Sequence, residues 1–97
     1  MALFTDIDFV TIEEAPPPDA FTVTFDVIYA GETWCRSIVD LDATLAARLL
    51  REELAMVAEA RNALLEHLAL EALPVSCHLR LTPEGTTVLA QARPSGG

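Results

Sequence analysis

From Asp42 to Ala72 the chain runs for 31 residues without a glycine or a proline, and nine of those residues are Ala and eight are Leu. Residues of this kind lose little side-chain freedom in a helix, so propensity alone predicts one here. Asp40 or Asp42 can cap its start, and Pro74 stops it. At about 1.5 Å per residue such a helix would be about 46 Å long, well past the roughly 30 Å width of a small domain. It must therefore break or overhang. Asn62 is the weakest helix former with a turn preference near its middle, which makes Arg61-Asn62 the expected place for a break.

On a helical wheel the run carries two apolar stripes. Ala43, Ala47, Leu50, Leu54, Val57, Leu64 and Leu68 follow four-three spacing with Arg61 inserted, and Leu45, Leu49, Met56, Ala60, Ala63 and Leu70 lie beside them. Packing on a sheet uses one stripe, so the second asks for another partner. A twofold homodimer through the helix is the simplest, with Leu50, Leu54, Val57, Arg61, Leu64 and Leu68 as its interface. Arg61 has no acid three or four residues away, so its counter-charge must come from the sheet or from a second subunit.

The flanks of the helix read as strands. Phe21-Thr-Val-Thr-Phe-Asp-Val-Ile-Tyr29 alternates with period two, and Gly31-Glu32 fits a two-residue hairpin that would pair Tyr29 with Trp34 and Phe25 with Ile38, leaving Cys35 on the face away from the core. Leu3 to Glu14 is also extended, with a slip in the alternation at Phe9-Val10 that suggests a bulge. Ala15-Pro-Pro-Pro-Asp-Ala20 cannot join a sheet and reads as a surface loop. After the helix, Val75 to Leu81 and Thr86 to Gln91 form a second hairpin about Pro83-Glu-Gly85, with Gly85 in the left-handed position of a three-residue loop. The expected fold is α+β, an antiparallel sheet of about five strands in the order β-β-β-α-β-β with one long helix packed on it. Residues 1–92 make one domain and 93–97 a flexible tail.

Charge narrows the partners. The net charge is −9, and residues 1–42 hold nine acids against Arg36 alone, a local −8. Affinity for a phosphate backbone comes from Lys and Arg displacing counterions, and with six Arg, no Lys and this acidic balance nucleic acid is not an expected ligand, although a mimic of one would need the acids of residues 1–42 arrayed at phosphate-like spacing on one surface. Asp6, Asp8, Glu13, Glu14 and Asp26 instead form an acidic surface suited to a basic protein. No apolar run is long enough for a membrane span, and the first residues carry acids where a secretory signal carries bases, so the expected compartment is the cytoplasm.

Chemistry is harder to find. Cys35, His67, Cys77 and His78 lack the short spacings of zinc sites, and Asp6-Ile-Asp8 with Asp26 is better read as a solvated sheet face than as a cation site, so no metal and no cofactor are expected. There is no glycine-rich phosphate loop and no nucleophile elbow. The sequence therefore reads as a non-enzymatic interaction protein: an adaptor, regulator or inhibitor. The alternative is a small-molecule binder or small enzyme whose pocket, between helix and sheet or between subunits, uses Tyr29, Trp34, Cys35 and His67.

Overall fold

The computed structural model describes residues 5–71 and 74–92. Seven elements follow one another: β1 (Thr5–Glu14), β2 (Asp19–Tyr29), β3 (Glu32–Asp42), α1 (Ala43–Arg48), α2 (Glu53–Leu68), β4 (Ser76–Thr82) and β5 (Gly85–Ala92). The tail 93–97, the strand start at Leu3 and the helix end at Ala72 lie outside the described residues.

The expected α+β class and element order hold, and the five strands form one sheet in the order β1-β2-β3-β4-β5. Two details differ. The sheet is mixed, because β3 and β4 run parallel, pairing Ile38 to Leu41 with His78 to Leu81. A helical crossover carries the chain back to the end of the sheet from which β3 set out, which a tight turn cannot do.

The second correction is that the long helix is two helices. Asp42 caps α1, accepting the Leu45 N–H on Oδ1 at 2.9 Å. The helix then stops at Leu49, not at Asn62, and both Leu50 (φ 57°) and Arg51 (φ 50°) take left-handed backbone. The Leu50 N–H donates to Ala47 O at 3.0 Å and the Arg51 N–H to Ala46 O at 2.8 Å, the paired bonds of a Schellman stop in which Leu50 fills the usual glycine position. Left-handed backbone costs a non-glycine residue about 1–2 kcal/mol. The Arg51 guanidinium, 4.8 Å from the centre of the Phe21 ring, helps to offset it. The break shortens the helix that must lie on the sheet to the 16 residues of α2, about 24 Å.

That helix buries one stripe, Met56, Ala60, Leu64 and Leu68, drawn half from each stripe of the wheel. It shares one core with Ala46 of α1, Ile7 of β1, Val23, Phe25 and Val27 of β2, Val39 and Leu41 of β3, and Cys77, Leu79 and Leu81 of β4, the strand residues all on one face of the sheet.

The registers also refine the sequence reading. The bulge in β1 is where the alternation slips, between Phe9 and Thr11. The β2–β3 turn, however, is Ala30-Gly31, with φ of 55° and 81°, and Tyr29 faces Glu32. This mirror-image turn suits the twist of the strands, and a further irregularity beside Trp34 sets Val27 opposite Cys35 and Phe25 opposite Ser37. Cys35 therefore packs against the core instead of facing away from it. The β4–β5 turn is Pro83-Glu84, with Thr82 paired to Gly85, whose φ of 142° is a backbone that side chains disfavour.

Candidate functional site

Three features compete for a functional role: the polar face of the sheet opposite the helices, the acidic strands, and the gap between α2 and β5.

On the polar face, alternation brings Thr22, Asp40 and His78 from three neighbouring strands together. Asp40 accepts from the Thr22 hydroxyl at 2.7 Å on one oxygen and contacts His78 Nε2 at 2.6 Å with the other. Beside them Asp19 receives both Nε and one terminal nitrogen of Arg80 at 3.0 Å, and this hydrogen bond makes the guanidinium hold its proton more firmly than usual. Arg36 pairs with Asp26 at 2.9 Å, and Ser76 donates to the Arg36 carbonyl. Each carboxylate already has a partner within the sheet. The arrangement ties neighbouring strands together. A depression of about 220 Å³ lies beside it, lined by Arg36, Ile38, Ser76, His78, Ala90 and Ala92 among others.

The clasps formed by Asp40 and Asp19 are absent from the sequence reading. Their signal was the polar face of β4, where His78 and Arg80 needed counter-charges; Asp40 supplies one from β3 and Asp19 the other from the start of β2.

The sequence-derived acids do not form one patch. Asp6 and Asp8 sit near the start of β1, Glu13 and Glu14 at its end, about 17 Å further along at 3.4 Å per residue. Asp8 lies opposite Asp26, whose charge Arg36 meets. Asp6 accepts its neighbour's N–H and meets Arg61 at 3.7 Å, so the sheet supplies a counter-charge for Arg61. No group of three or more His, Cys, Asp or Glu side chains among the described residues is arranged to hold a metal ion.

Of the residues assigned to a helical interface, Leu64 and Leu68 are buried in the chain's own core and Val57 packs at its margin. They are committed to the sheet. Leu54 is 77% exposed on α2, and Leu50, 85% exposed, stands in the break before it.

The proposed pocket residues separate. Tyr29 and Trp34 close edge-to-face over each other at 5.7 Å at the hairpin end, the indole N–H donating to the Tyr29 carbonyl. Cys35 lies on the core side, and burial pushes its thiol up; the thiol of Cys77 on β4 is pushed up to about 11, again mainly by burial. Thiols that keep their protons near neutrality are poor nucleophiles. His67 instead meets Gln91 of β5, Nε2 to Oε1 at 2.6 Å.

That contact marks the third feature. A cleft of about 200 Å³, lined by Ala63, Glu66, His67, Leu70, Thr86 and Val88, opens between α2 and β5. It shares Ala63, Glu66 and Thr86 with a larger one of about 480 Å³ that runs on toward Arg48, Glu59 and Glu84. The two make one trough along β5. All eight residues of this last strand are exposed.

No helix among the described residues is long and apolar enough to cross a membrane. No protein-family model matches the chain, no curated protein is detectably similar to it in sequence, and no solved structure is detectably similar to it in fold.

Proposed function

We propose that the protein is a non-enzymatic acidic interaction protein, an adaptor, regulator or inhibitor, that works as a homodimer and offers its acidic strands to a basic protein surface. One observation carries the reading: β5 is exposed along its whole length, while the polar side chains of the sheet satisfy one another. A strand with neither face covered offers a binding edge. The acidic half of the chain adds long-range attraction for cationic partners. Sedimentation at tens of micromolar, an ordinary range for weak association, tests the dimer, and a salt-sensitive association with a cationic protein tests the acidic surface. A monomer throughout that range refutes the first, and salt-independent or absent binding refutes the second.

The alternative, a small-molecule site, has one observation in its favour. The trough between helix and sheet contains a cleft of about 480 Å³, within the usual size range of ligand sites. Its rim of Glu59, Glu66 and Glu84 with Arg48 suits a cationic compound. A thermal-shift screen of small organic cations checks it, and Glu66→Ala should abolish any stabilisation found.

A further inference from the structure

We infer that the seat of self-association is the outer edge of β5, which pairs antiparallel with β5 of a second copy to make one continuous ten-stranded sheet. This rests on the homodimer reading above and says which surface makes it.

The end strand of an open sheet leaves a row of backbone N–H and C=O groups with no partner within the sheet, and only another extended strand satisfies such a row. Natural edges are blunted by charge, proline or cover. The β1 edge carries Asp6, Asp8, Glu13 and Glu14. The β5 edge, Gly85-Thr-Thr-Val-Leu-Ala-Gln-Ala92, has no charge and no proline, and Val88 and Leu89 stand 46% and 40% exposed. A bulge interrupts each of these strands, beside Val10 in one and beside Leu89 in the other, so bulging does not distinguish them. Charge does.

The same charge pattern selects the occupant. Two copies of a chain of net charge −9 repel, and the closest approach they tolerate is through a neutral surface. Pairing β5 with β5 joins the neutral strands and leaves each β1, four strands away in the sheet, at a far end. At about 4.8 Å per strand that is about 19 Å from the junction within its own copy. Pairing β1 with β1 sets acid against acid. Pairing β1 with β5 is head-to-tail and does not close, whereas the twofold β5 pair does. A basic partner strand would find no counter-charge on β5 itself, since the acids nearest it, Glu66 and Glu84, line the trough and the turn and not the strand. The trough adds apolar contact: Leu70, 83% exposed, and Val88 line it on the helix side, and the second copy brings a second Val88 beside the first. Eight residues give about 27 Å of strand contact. With the trough this falls at the small end of stable interfaces, consistent with a dissociation constant on the order of micromolar.

The test uses the full chain from about 1 to 100 µM, the range that spans such a constant. Sedimentation velocity should show a dimer for the wild type. Val88→Glu/Ala90→Glu, which sets like charges across the axis, should weaken it at least about a hundredfold, with the far-UV circular dichroism unchanged. Leu54→Glu, on the exposed part of α2, should leave it dimeric. Amide exchange in the wild type should slow along β5 as concentration rises and stay constant along β1. A wild-type monomer overturns the homodimer reading and this inference with it. A wild-type dimer that survives the double substitution, or that Leu54→Glu disperses, overturns the β5 seat alone. Should the double variant misfold, β5 exchange that does not depend on concentration in the wild type overturns it equally.

Discussion

The sheet consists of two antiparallel units that differ in how they are held. The meander β1–β2–β3 has strands of 10, 11 and 11 residues, and its outermost strand is anchored by the buried Ile7 and by Phe9 set edge-on to Phe25. The hairpin β4–β5 has strands of 7 and 8 residues; β4 buries every second side chain and β5 buries none. The units meet along the parallel pair Ile38–Leu41 and His78–Leu81. Across that seam run Asp40 to His78, Asp19 to Arg80, and the Cys77 N–H to Ser37 Oγ at 2.9 Å. The meander and β4 share one core under the helices, while β5 is held by its pairing with β4 and by Gln91, which meets His67 and Glu71. Four expected outcomes sharpen or break that contrast.

The largest effect should separate the two end strands. Ile7→Ala removes a fully enclosed side chain and should cost about 2–5 kcal/mol. Val88→Ala should change stability by no more than about 0.5 kcal/mol, as exposed positions do. Urea denaturation of both variants at submicromolar protein checks this. Equal costs would mean that β5 is as firmly built in as β1.

Cutting the seam should come next. Asp40→Ala leaves the Thr22 hydroxyl and the His78 ring without their shared acceptor and should cost about 1–3 kcal/mol. If the hairpin is held through the seam, amide exchange in β4 and β5 should quicken more than in β1 and β2. A uniform increase would show that the sheet opens only as a whole.

A smaller effect appears only in alkali. Cys77 stands opposite Gln91 of β5, and its thiol keeps its proton up to about 11 in the folded chain. The unfolded chain releases that proton at the ordinary value near 9. Between these values the unfolded state binds fewer protons, so stability should fall as pH rises from about 9 to about 11. Cys77→Ala should flatten that part of the profile. Denaturation midpoints from pH 8 upward decide it, and an unchanged slope in the variant would place the alkaline loss elsewhere.

The same contrast explains what the sequence made legible. Alternation located β2 and β4 and, with a slip at Phe9-Val10 that marked its bulge, β1; turn residues placed β3 and β5, and of the two candidate caps Asp40 and Asp42 the second starts the helix, because each signal lies within a few residues of its effect. The helix break was hidden because its left-handed positions fall on Leu50 and Arg51, and what compensates them, a Schellman stop and a cation over Phe21, is not a local propensity. The β2–β3 register was displaced because Ala30 occupies a turn position that favours glycine or asparagine. The clasps were missed because their partners are 38 and 61 residues apart. Nothing in Thr86-Thr-Val-Leu-Ala-Gln91 distinguishes a covered strand from a bare one, so the β5 edge became visible only with the topology.

The smallest effect concerns Arg61, the charge that interrupts the apolar stripe. The sequence left its counter-charge to the sheet or to a second subunit, and Asp6 of β1 meets it at 3.7 Å with both side chains about half exposed. An ion pair in that setting gains little over hydration and is screened by salt, so Arg61→Ala should change stability by less than about 1 kcal/mol, and by less still at high ionic strength. The substitution lies on the meander side of the molecule, and a dimer seated on β5 should not notice it: sedimentation of Arg61→Glu and of the exposed control Arg48→Glu should be alike. If Arg61→Glu alone dissociates the dimer, the crossing point is the middle of α2, and the neutral edge of β5 has some other occupant.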